Sequence, residues 1–257
     1  MSVTTETATR AAAPYWTDAP QPSLCTMTTP SPAGASPTDR LDSGHSTNQP
    51  SRGAVLVVGA GDATGSAIAK RFAREGLIAC VTRRSADKLV PLVDEIVAAG
   101  GQAHGFASDA RDEAAVTALF EHIERDIAPV EVVVFNIGAN VRFKVTHTTE
   151  RVYRKVWEMG ALAGFLVGRE AARAMLPRGR GTILYTGATA SLRGGAGFSA
   201  FAGSKHALRA LAQSLAREVG PQGIHVAHVV IDGAIDTKFI AENFPERYAL
   251  KDKDGIL

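Results

Sequence analysis

The chain has 257 residues, 45% of them hydrophobic and 21% charged, which is enough apolar material for one sizeable core. Its 28 basic and 26 acidic residues leave a formal charge of +2, with no excess of either sign to argue for nucleic acid or an anionic membrane as partner. No window approaches the roughly 18 uninterrupted apolar residues of a membrane span, no basic-then-apolar leader opens the chain, and two cysteines exclude a multi-bridge framework. A cytoplasmic protein in a reducing compartment is the expectation, with Cys80, inside an apolar run, as a small core residue.

Residues 1–52 are rich in Ser, Thr, Ala and Pro, without period and with too few large apolar side chains to offset chain entropy. They are expected to form a disordered, low-complexity extension without chemistry of its own. From residue 53 to 257, short apolar runs alternate with longer segments of helical period, the pattern of repeated βαβ units around a parallel sheet. Six strands are predicted over Ala54–Val58, Ile78–Thr82, Ala103–Ala107, Glu131–Phe135, Gly181–Thr186 and His225–Ile231, each apolar enough to be buried on both faces. Ile68 and Phe72 mark the first helix, which Gly76 ends. Leu89, Val93 and Val97 mark the second, which begins just before Pro91 and stops at Gly100-Gly101. Val116, Leu119, Phe120 and Ile123 mark a third. A long segment from about Glu150 to Leu176 makes a fourth, and Ser199 to Val219 a fifth, with Leu208, Leu211 and Leu215 on one face. The fold class is therefore α/β: a doubly wound dinucleotide-binding sheet flanked by helices.

The first strand runs through Gly59-Ala60-Gly61-Asp62-Ala63-Thr64-Gly65 directly into a helix. Glycines there let the backbone turn tightly and approach a pyrophosphate, and the helix N-terminus offers it unpaired N–H groups. Three residues, not two, separate the second and third glycines, so the motif departs from G-x-G-x-x-G, and the strand–turn–helix order carries the assignment. The second strand ends in Arg83-Arg84, where an NAD enzyme places an acidic residue for the ribose hydroxyls. Two guanidiniums favour the 2′-phosphate of NADP. His225 and His228 are three apart on a strand and point to opposite faces, so no metal site is expected.

In these motifs the chain resembles the short-chain dehydrogenase/reductase family. Val58 to Gly65 stands where that family carries T-G-x-x-x-G-x-G. Asp109, with Ala110 beside it, is similar to the family aspartate at adenine, and Asn136-Ile137-Gly138-Ala139 resembles N-N-A-G. Lys205 matches the lysine of Y-x-x-x-K, and Asp232 to Thr237 stands where the family has P-G-x-x-x-T over the nicotinamide. The resemblance implies an NADP(H)-dependent oxidoreductase for a small carbonyl, alcohol or activated alkene. It also implies assembly as a homodimer or homotetramer through the two long helices. The departures fall on the chemistry: the family tyrosine, serine and asparagine positions hold Phe201, Ala188 and Gly160, and the proline position holds Asp232. Phe198 stands at the tyrosine position of the enoyl-reductase spacing. Of the usual catalytic set only Lys205 remains, which leaves a degenerate binding or regulatory protein as the alternative. Tyr185, Thr186, Thr189, Ser191 and Ser199 are the other possible proton donors, although hydroxyls at a strand end or helix start commonly bond backbone, which is the expectation for each of them. Family members that reduce conjugated dienoyl thioesters also lack the tyrosine. The chain ends at Leu257, before the seventh strand that the resemblance leads one to expect, so an exposed sheet edge is predicted.

Overall fold

The computed structural model describes residues 53–250 other than Ala234 and Phe244; the expected extension over 1–52, Cys25 and the last residues of the chain lie outside them. Six parallel strands form one sheet in the order β3-β2-β1-β4-β5-β6. They are β1 (Ala54–Val58), β2 (Ile78–Arg83), β3 (Ala103–Ala107), β4 (Val130–Phe135), β5 (Gly181–Ala188) and β6 (Ile224–Ile231). The helices between them are α1 (Thr64–Arg74), α2 (Val90–Ala98), α3 (Glu113–Asp126), α4 (Glu150–Trp157), α5 (Ala163–Met175) and α6 (Ser199–Val219). Two short helices follow β6, α7 (Lys238–Asn243) and α8 (Pro245–Tyr248).

Because side chains alternate along a strand, β1 feeds two cores at once. Val55 and Val57 pack with Ala69 and Ala73 of α1 and Leu92 and Ile96 of α2. Leu56 and Val58 lie on the other face with Val116 of α3, Val167 of α5 and Leu208 of α6. This is the doubly wound arrangement, with β1 and β4 side by side where the strand order reverses. Cys80 is buried in the second of these layers, and desolvation pushes its thiol up to about 12.

Two expectations need correction. Burial on both faces holds for β1, but His104, Gly105 and Ala107 of β3 are exposed, and Val229 of β6 is 50% exposed. β3 and β6 are the edges of the described sheet, and edge status follows from strand order, which a local run of apolar residues does not encode. The buried ridge of the second helix is Leu89, Leu92 and Ile96, whereas Val97 faces solvent. A 3₁₀ turn over Ala86–Leu89 precedes α2 and Pro91 sits in its first turn, so Leu89 enters from a tighter spiral and the spacing that continues its face is three and four, not four and four.

The long fourth helix forms as α4 and α5 joined by a π turn over Glu158–Leu162, ending in a left-handed Gly179. Its glycines recur every four residues on the side facing α6 and β5. A methyl added at Gly160 would fall on Ser204 Oγ, one at Gly164 on Leu208 Cδ1, and one at Gly168 on Tyr185 Oη. This stripe lets the helix lie directly on those three side chains. Gly168→Ala is therefore expected to cost roughly 1–3 kcal/mol by overpacking, since the buried Tyr185 has no room to retreat. Thermal melting would register it as a drop of roughly 2–4 °C per kcal/mol for a domain of this size; an unchanged melting temperature would contradict the tight fit.

Candidate functional site

A cleft of about 1660 Å³ opens at the C-terminal ends of β1, β4, β5 and β6, the crevice at the switch point where open α/β sheets take their ligands. One wall is the glycine loop. Gly59 adopts φ +89°, and Gly59 N and Ala60 N both donate to Thr82 O, tying the loop to the end of β2. Gly65 lies so close that a Cβ there would stand 2.5 Å from Gly59 O, while Gly61 and Gly138 face open space. Asn136 Nδ2 donates to Gly59 O at 3.1 Å, so the end of β4 braces the same loop. No side chain caps α1 and its first turn holds no acidic residue, which leaves the loop-to-helix junction around Asp62, Ala63 and Thr64 to present its positive end to the cleft.

At one end of the cleft Arg83 Nη1 pairs with Asp62 Oδ1 at 2.8 Å, and Arg84 is exposed beside it. Asp109 is gripped by Arg111, whose Nε donates to Oδ1 at 2.9 Å, and this pairing holds the carboxyl below its ordinary value. Ala110 is buried next to it. Arg111 was not anticipated, because the chain turns between β3 and α3 and only the turn brings position i+2 back onto the carboxylate.

At the other end Lys205 is 4% exposed, with Nζ donating to Thr186 O at 2.8 Å and Ile137 O at 3.3 Å. Burial lowers its pKa to about 8. The buried Phe201 presents its ring to the ammonium, 5.9 Å from centroid to Nζ. His225 is exposed and His228 turns inward, as strand alternation predicts; its ring fills the space beside Gly187, and its Nε2 is buried without a hydrogen-bond partner among the described residues. Burial and the charges of Lys205 and Arg209 hold that imidazole below its usual range. Ala188 N donates to Ser191 Oγ. Tyr185 is enclosed outside the cleft lining and donates to Gly164 O at 3.4 Å, and burial pushes its pKa up. Thr189 Oγ1 donates to Asp232 Oδ1 across the mouth. Thr237 caps α7, its hydroxyl accepting from Ile240 N.

Residues 53–247 match the family model described as short chain dehydrogenase. The chain belongs to the short chain dehydrogenase family. It is 32% identical to a 3-oxoacyl-[acyl-carrier-protein] reductase, MabA, of Mycobacterium avium over 72% of this chain and 68% of that protein. A short-chain dehydrogenase from Rhodopseudomonas palustris is 52% identical, with a TM-score of 0.66 over 76% of this chain and 91% of that one. A tryptophan variant of actinorhodin polyketide ketoreductase with NADPH is 26% identical, with a TM-score of 0.71 over 80% of this chain and 78% of that one. Within this short chain dehydrogenase framework, the cleft brings together the glycine loop, Arg83, Arg84, Asp109, Asn136, Lys205 and Thr237. Ala188 and Phe201 line it too, whereas Gly160 lies behind it against Ser204. Among the described residues no helix is long and apolar enough to cross a membrane.

Proposed function

We propose that this chain is an NADP(H)-dependent oxidoreductase acting on a small carbonyl, alcohol or activated alkene, with residues 53–257 as one dinucleotide-binding domain in the cytoplasm. The observation that carries the reading is the single cleft that has a glycine cradle and paired arginines at one end and a buried lysine at the other. The cradle fits a dinucleotide: Gly61 and Gly138 leave open space where side chains would stand, and Gly59, Asp62, Ala63, Thr64 and Gly65 wrap an uncapped helix start. Arg83 and Arg84 would hold the 2′-phosphate, Asp109 and Ala110 the adenine. Asn136 braces the loop, while Lys205 and Thr237 would hold the nicotinamide half. When bound, the cofactor supplies or accepts the hydride. Lys205 supplies a positive charge in a desolvated wall and orients what lies against it, its two carbonyl acceptors fixing Nζ in place.

That charge has a testable consequence. Anionic cofactor favours the ammonium form of Lys205, so binding takes up a proton wherever the free protein has lost it. NADPH affinity should therefore fall as pH rises through about 8. Calorimetric titration in buffers of different ionisation enthalpy measures the uptake. Lys205→Met should abolish it, and an uptake that survives in this variant would assign it to another group.

Phe201 and Ala188 favour a second reading, a short chain dehydrogenase that keeps its nucleotide pocket as a binding or regulatory device. An NADPH-oxidation screen over ketones, aldehydes and enoyl compounds separates the two. Turnover supports the oxidoreductase, and tight NADPH binding without turnover supports the second reading. Assembly as a homodimer, with a homotetramer as the larger form, is supported by the exposed Tyr153 and Trp157 of α4, Leu162 of the π turn and Phe165 of α5.

A further inference from the structure

β5 and β6 stay in register up to the pair Ala188 and Ile231. The next residue on each strand, Thr189 and Asp232, therefore meet at the cleft wall, and the threonine hydroxyl donates to the carboxylate. This is not the backbone bond expected of a hydroxyl at a strand end. Of the neighbouring hydroxyls, Ser191 Oγ accepts from Ala188 N and the Tyr185 phenol is buried against Gly164, while Thr186 also lines the cleft. Thr189 follows the alanine that stands at the family serine position, and Asp232 replaces the family proline. The contact thus joins one departure from the family pattern, Asp232, to the residue next to another, Ala188, and both partners line the cleft with Phe201 and Lys205.

We propose that Thr189 is the catalytic hydroxyl and Asp232 its proton acceptor, and that the substrate is an alcohol oxidised to a carbonyl. This rests on the oxidoreductase reading above. In the forward step the substrate hydroxyl gives its proton to Thr189 Oγ, whose own proton passes to the Asp232 carboxylate. The C–H bond breaks as its electron pair and hydrogen leave as hydride to NADP⁺. The carbon is oxidised to a carbonyl, the nicotinamide is reduced, and protonated Asp232, which is exposed, returns its proton to water. Carbonyl reduction is the same path reversed. A carboxylate already accepting from the hydroxyl is the base form of this pair, set to receive the proton of an alcohol.

The test uses the full chain in both directions, with cyclohexanol and benzyl alcohol plus NADP⁺, and with cyclohexanone and benzaldehyde plus NADPH. Thr189→Val and Asp232→Asn are each expected to lower kcat about a hundred-fold in both directions, with KM and the NADPH Kd changed by less than about three-fold. Thr189→Ser and Asp232→Glu should each recover at least about a tenth of the parental rate, which a merely structural role would not require. If the parent turns over and both disabling variants do so within about three-fold of it, the pair is structural and this assignment falls while the oxidoreductase reading stands. If the parent turns over none of the four probes, the assignment falls; if it also turns over none of the ketones, aldehydes and enoyl compounds of the wider screen although it binds NADPH, the oxidoreductase reading falls with it.

Discussion

Phe201→Tyr combined with Ala188→Ser is expected to raise carbonyl reduction by part of the roughly 10²–10⁴-fold range of general-acid assistance, because position 160 still lacks the relay amide. Phe201 and Lys205 are four apart on α6 and share a face, and the ammonium already stands 5.9 Å from the ring centroid. A phenol oxygen added there would enter the field of a desolvated cation, which favours the phenolate and lowers the pKa of the new donor. Ala188 and Phe201 line the same cleft, so a serine hydroxyl at the end of β5 would complete a two-point grip on a carbonyl oxygen. The gain should be largest in a Thr189→Val background, where the resident proton route has been cut. The readout is kcat/KM for NADPH-dependent reduction of benzaldehyde. A double variant that folds and binds NADPH but reduces no faster than the parent would show that position 201 does not face the reacting carbonyl.

Replacing Arg83 and Arg84 together by alanine should weaken NADPH binding by roughly 10² or more and leave NADH nearly unchanged, because hydrogen bonds to charged groups contribute roughly 1.5–3 kcal/mol each. Arg83 is held at the end of β2 by Asp62, and Arg84 is exposed beside it, so both guanidiniums stand ready at the rim of the cleft. Titration of both cofactors against parent and variant measures the ratio directly. A preference for NADPH that survives the loss of both arginines would move the 2′-phosphate site elsewhere, with Arg111 as the neighbouring cation to examine next.

The six strands could be read from the sequence because each is a short apolar run bounded by glycine or polar residues, and the structure alters their ends by two residues at most. The glycine loop and the lysine were readable for a related reason: local spacing fixes which residues leave a strand end or share a helix face. What escaped depends on separations along the chain that no local period encodes. The exposure of β3 follows from strand order. The contact between Thr189 and Asp232 follows from the β5–β6 register over residues 43 apart. The burial of His228 against Gly187 likewise needs both strands in place.

The glycine stripe on the fourth helix ties position 160 to a hydrogen bond one helix away. At Gly160 the space for a side chain is taken by Ser204 Oγ, which itself donates to Val156 O in the turn before the π segment. A side chain at position 160 would therefore make the Ser204 hydroxyl turn to another rotamer and give up its bond to Val156 O. A swap at position 160 thus registers at position 204, whatever its effect on proton transfer.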